Sequence, residues 1–109
     1  EIDKIIEEKI KGRKLVFTNW YKEGLWKKGI PENKFNEIFS QFDKIFAIET
    51  ETLKKGDIGY EIFYKMSNNT LFSIGTIPKE NNLLIIHLIE YKRSLDYRFK
   101  KFKNLWMNF

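Results

Sequence analysis

Apolar positions along this chain follow two different periods, and the change from one to the other falls near Asp43. In EIDKIIEEKI, the residues Ile2, Ile5, Ile6 and Ile10 stand at helical spacing, and Gly12 supplies a stop, so a short first helix is predicted. KLVF, 14–17, reads as a short strand. Thr18 or Asn19 can cap a second helix that runs through Trp20 and Leu25 to Gly29. Pro31 suits the first turn of a third helix, where its missing N–H costs nothing. Phe35, Ile38, Phe39 and Phe42 then fall at i, i+3, i+4 and i+7 on one stripe.

Beyond Asp43 the period drops to two. KIFAIETETL, IGYEIFYKM, TLFSIGTI and LLIIHLIEY alternate or run apolar, separated by KKGD, SNN and PKENN, which are turn compositions. The Asn68-Asn69-Thr70 triplet matches a glycosylation sequon and equally spells a tight turn, which is the better reading. The last of these strands is apolar on both faces as far as Ile89, which marks it as central or as covered on both sides. Ser94 can cap a closing helix with Leu95, Phe99, Phe102 and Trp106 on one stripe and bases largely on the other. The expected architecture is α+β: an antiparallel four-stranded sheet plus one short strand, packed by N-terminal helices, with a basic C-terminal helix. No linker, repeat or low-complexity tract divides the chain, so residues 1–109 form one expected domain.

Composition adds exclusions. There are 109 residues with ten Phe, five Tyr and three Trp, enough for one aromatic-rich core. The absence of cysteine removes disulfides and thiolate chemistry. No apolar run approaches the roughly 18 residues of a membrane span, and no signal-peptide pattern opens the chain, so no membrane partner is expected. Because the chain opens on Glu1, two origins stay open: a small gene product trimmed at its start, or a piece cut from a longer polypeptide.

Charge is concentrated rather than spread. The net charge is +5, and residues 91–103, YKRSLDYRFKKFK, hold six bases (Lys92, Arg93, Arg98, Lys100, Lys101, Lys103) against Asp96 alone. Such a patch favours polyanions, whereas a plain solvated helix face would carry the same residues without a ligand.

The segment FTNWYKEGLWKKGI followed by PENKFNEIF, the strand run containing SIG and IIHLIEYKRS, and the basic closing helix together resemble the BrnT-like toxins. Those toxins belong to the broad superfamily of metal-independent ribonucleases that includes barnase, the EndoU nucleases, colicin C-terminal domains and the RelE toxins. The resemblance covers residues 14–103 in pattern and element order. Phe17, Thr18, Gly29 and Ile30 fit the pattern, while Trp20 stands where a histidine is usual and Lys28 where an arginine is. It implies an endoribonuclease acting on cytoplasmic RNA without a cofactor, and an acidic partner that neutralises it. That partner would be an antitoxin encoded beside the toxin or, for the tip of a larger secreted effector, a dedicated immunity protein.

RNA cleavage without a metal needs a base for the 2′-hydroxyl, cations for the phosphoryl charge and an acid for the leaving oxygen. His87 is the sole histidine, which excludes a two-histidine mechanism and argues against a zinc site. No GxxxxGK or GxSxG motif is present, and Glu49, Glu51, Asp57, Glu61 and Glu90 show no two-metal spacing. The remaining candidates are His87, Glu90, Tyr91 and Arg93 for catalysis, with Lys92, Arg98, Lys100, Lys101, Lys103, Tyr60 and Trp20 for RNA binding. Strict alternation places Ile85, His87, Ile89 and Tyr91 on one face and Ile86, Leu88, Glu90 and Lys92 on the other, so His87 and Glu90 converge only through a twist or bulge. His87 is then either a proton shuttle on an open face or an interior residue with a satisfied ring. Tyr91 is either part of that site or packing with a wet hydroxyl, and Tyr60 and Tyr64 either stack bases or pack the sheet. Arg93 would reach around the strand end to grip phosphate with its planar fork. A non-catalytic RNA-binding or protein-docking module on the same scaffold is the competing class.

Overall fold

The computed structural model describes residues 1–91. The expected closing helix, and with it Lys92, Arg93, Arg98, Lys100, Lys101 and Lys103, lies outside the described residues. The elements run α1 (Ile2–Ile5), a π-helical turn (Ile6–Ile10), β1 (Lys14–Phe17), α2 (Asn19–Lys28), α3 (Asn33–Ile38), a 3₁₀ turn (Phe42–Lys44), β2 (Ile45–Thr52), β3 (Ile58–Lys65), β4 (Leu71–Lys79) and β5 (Asn82–Tyr91). The fold is α+β, and the sheet has five strands in the order β1-β5-β4-β3-β2.

The meander from β2 to β5 is antiparallel throughout. β1 joins it as a full member, parallel to β5, with Lys14 opposite Asn82 and Phe17 opposite Ile85. The sheet is therefore mixed. This placement gives the first part of β5 a neighbour on each edge, and apolar layers on both faces account for the doubly apolar character of that strand.

Thr18 makes the join between β1 and α2. Its Oγ1 donates to the carbonyl of Ile85 at 2.8 Å and accepts from the Tyr21 amide at 3.2 Å. One hydroxyl thus ends the parallel ladder and caps the helix. Gly29 closes α2 in the left-handed conformation (φ 67°), the backbone state that favours glycine. α3 stops at Ile38, short of the predicted reach to Phe42. The aromatic stripe survives the break: Phe35 and Phe39 stack at 5.1 Å, and Phe42 meets Phe39 edge-on at 5.6 Å. Core packing, not helical continuity, holds Phe42 in line.

The first helix widens from α to π within ten residues, and at its end the Lys11 amide bonds back to Ile6, five residues away. This turn keeps Ile6 and Ile10 both buried. Arg13 then takes up carbonyls at the helix end, donating to Lys9, Glu8 and Glu80, and so ties that end to the β4–β5 turn.

Two apolar layers result. On one face Tyr21, Leu25, Phe35 and Ile38 of the helices pack on Ile62, Tyr64, Phe72, Ile74, Leu83, Ile85 and Leu88. On the other face Phe63, Ile77, Ile86 and Tyr91 gather with Leu53. Each such side chain taken out of water contributes about 1.5–3 kcal/mol.

Candidate functional site

Gly75 pairs with Glu61 on one side and with His87 on the other, so the three residues form one row across β3, β4 and β5. Glycine leaves a gap in the row. The imidazole of His87 crosses that gap, and its Nε2 lies 2.7 Å from Oε1 and 2.9 Å from Oε2 of Glu61. A methyl group at Gly75 would stand 2.5 Å from Nε2 and 2.6 Å from Cε1, so only glycine leaves room for this contact. Glu61 is fully buried, and His87 is 7% exposed. A carboxylate only accepts hydrogen bonds, so with Glu61 ionised the ring proton resides on Nε2 and a neutral ring carries its lone pair on Nδ1.

A β-bulge delivers the histidine to this row. Gly75 pairs with His87 but Thr76 pairs with Ile85, which makes Ile86 an extra residue on β5. Ile85 and Leu88, three apart, therefore share the helix-covered layer, while Ile86 belongs to the opposite one. The strict alternation expected for this strand is corrected accordingly: Ile85 does not share the face of His87 and Tyr91, and Ile86 does not share that of Leu88. The bulge does not bring Glu90 to the histidine. Glu90 lies opposite Phe72, and the carboxylate at the imidazole belongs to Glu61, 26 residues away in the chain.

Tyr91 is 2% exposed, and its hydroxyl shares a 2.9 Å hydrogen bond with Ser73 Oγ. Tyr60 is buried in β3 beside Thr76, whose hydroxyl donates to the Tyr60 carbonyl at 3.0 Å. Its ring offers little open face for a base. Tyr64, fully buried, donates to the Phe39 carbonyl at 2.8 Å, and burial pushes its phenol well above the ordinary range. Trp20, in the first turn of α2, is 53% exposed.

Lys28 approaches from the helix side. β1 ends opposite Ile85, and further along β5 the Lys28 ammonium donates to the Leu88 carbonyl at 3.2 Å. Burial lowers the pKa of Lys28, and the negative charge of Glu61 partly opposes that shift. Among the described residues, no group of three or more His, Asp or Glu could hold a metal ion, and no helix is long and apolar enough to cross a membrane.

Glu61 is the residue that the sequence pattern leaves unassigned. Two signals point to it in retrospect: a carboxylate in the middle of the apolar strand IGYEIFYK, and a glycine inside the strand TLFSIGTI. No family model matches this chain, and neither a curated protein nor a solved structure matches it.

Proposed function

We propose that this domain is a metal-independent endoribonuclease toxin in which Glu61 and His87 supply the acid–base chemistry. The observation that carries the reading is the carboxylate–imidazole pair built over Gly75. Replacing such a buried pair by apolar side chains of the same volume is often neutral or stabilising, so stability alone gives little reason for three strands to accommodate it. Proton transfer gives one. The basic segment 91–103 and the resemblance to BrnT-like and RelE-like toxins support the same reading.

In this mechanism Glu61 orients the ring and stabilises the imidazolium, and the His87 imidazole takes the proton of the RNA 2′-hydroxyl. The 2′-oxygen attacks phosphorus, the bond to the 5′-oxygen breaks, and the ring proton returns to the leaving oxygen. The products are a 2′,3′-cyclic phosphate and a 5′-hydroxyl. Phosphoryl charge is met by the cations at and after the end of β5, with Arg93 first among them. The neutralising partner is an acidic antitoxin or immunity protein complementary to that surface.

Incubating the purified protein with tRNA and ribosomal RNA in EDTA tests the reading. Cleavage to 2′,3′-cyclic ends is expected, with a loss of about 100-fold or more in Glu61→Gln and in His87→Asn. Circular dichroism of each variant distinguishes lost chemistry from lost fold. Intact RNA at high protein concentration, with folded wild-type protein, would assign the domain to the non-catalytic class.

A further inference from the structure

A second feature lies apart from the Glu61–His87 row, on the helical side of the sheet. Between the end of β1, α2 and the start of α3 is a cavity of about 440 Å³, within the range that takes a small organic ligand. Its floor is aromatic and rigid. Phe17 lies 5.1 Å from both Tyr21 and Phe35, and Tyr21 meets Phe35 edge-on at 5.8 Å. Tyr21 and Phe35 are almost wholly buried, so these rings are held by the core and need no ordering when a ligand arrives.

The wall is different. Trp26 also lines the cavity and is 84% exposed, a large indole left in water beside a preformed hollow. Leu25 and Ile30 add apolar lining, and Glu32, Lys22 and Asn36 are its polar members. The Glu32 charge is felt at the cavity floor: burial first, and the nearby Glu32 carboxylate second, push the Tyr21 phenol up to about 12.

We propose that this cavity binds a small aromatic amine, with its ring among Phe17, Tyr21, Trp26 and Phe35 and its ammonium at Glu32. The ring faces carry negative quadrupoles and Glu32 a full negative charge, so a cation is attracted by the lining where an anion of the same shape is repelled. Lys22 is exposed, and its flexible stem lets its ammonium stay in solvent away from the bound cation. The assignment is independent of the ribonuclease reading, because the cavity residues and the Glu61–His87 pair belong to different surfaces of the sheet.

Phenethylamine, 2-phenylethanol and 3-phenylpropionate share one ring and differ in the charge of the tail, so titrating each into ¹⁵N-labelled protein isolates the electrostatic part. Saturable shifts at Tyr21, Trp26 and Phe35 are expected with the amine, and binding about 10-fold weaker or worse with the alcohol and the acid. Glu32→Gln should abolish that preference while Trp26→Ala weakens amine and alcohol alike. Equal binding of amine and acid, absence of saturation by the amine at about 10 mM, or an unchanged preference in Glu32→Gln would each overturn the assignment.

Discussion

Gly75 shows how one absent side chain decides the chemistry of a whole row. Its Cα sits between a buried acid and a buried base, and an alanine there would place a methyl 2.5 Å from the imidazole nitrogen. Gly75→Ala should push the ring off Glu61 and leave both groups poorly paired in the interior, at a cost of about 3 kcal/mol. In a domain of this size that is a fall of roughly 10–20 °C in Tm, readable by circular dichroism. A change below about 2 °C would show that the row tolerates a side chain and that the contact is not tightly built. Alkaline titration probes three other residues. Tyr21 and Tyr64 hold their protons in the folded state beyond the pH at which an unfolded chain releases them. Their contribution is therefore complete below pH about 10 and is lost as pH rises through about 12, where Tyr21 titrates. Lys28 acts in the opposite sense: its lowered pKa means that stability rises with pH until the unfolded lysine also deprotonates. Urea midpoints measured from pH 8 to 11.5 should fall at the upper end, and Tyr64→Phe should flatten the fall. At neutral pH the same variant should cost about 1 kcal/mol, because the Phe39 carbonyl loses its donor.

At the level of elements, the period change near Asp43 falls where the helices α2 and α3 give way to the meander of β2 to β5, because both periods report only which side of an element faces apolar surroundings. Boundaries set by local chemistry are legible too. Thr18 and Gly29 frame α2 as their side-chain and backbone preferences require. Thr18→Ala should remove the cap and the bond to Ile85 together, lowering stability by about 1–2 kcal/mol, whereas Thr18→Ser should retain most of it. If serine and alanine proved equivalent in denaturant melts, the hydroxyl would not be what joins β1 to α2. Where contacts come from distant residues, the pattern misleads. The third helix stops four residues early although its stripe continues, since stacked rings reward the position of Phe42 without requiring helical backbone. The bulge at Ile86 is likewise invisible in LLIIHLIEY, where His87 is the one polar residue from Leu83 to Ile89 and either register buries the rest.

For the whole molecule, the proposed ribonuclease activity would need the buried acid–base pair to work together with the cationic segment that follows β5 in the sequence. An RNA complex held by that segment should weaken steeply with salt, because neutralised phosphates release counterions. Filter binding of single-stranded RNA from 50 to 200 mM salt should show a linear log–log decline. A flat response would remove the polyanion from the reading. The sequence alone was sufficient to establish the α+β class, the order of helices and strands over residues 1–91, the polar turns, and the exclusion of cysteine and two-histidine chemistry, because these depend on composition and on spacings within a few residues. Tertiary structure alone decided that β1 pairs in parallel with β5, that Ile86 is an insertion in the ladder, and that the partner of His87 is Glu61. The physical reason is common to all three. Strand register is settled by which residues meet across the sheet, and a glycine gap matters only once an acid and a base are brought to its two sides.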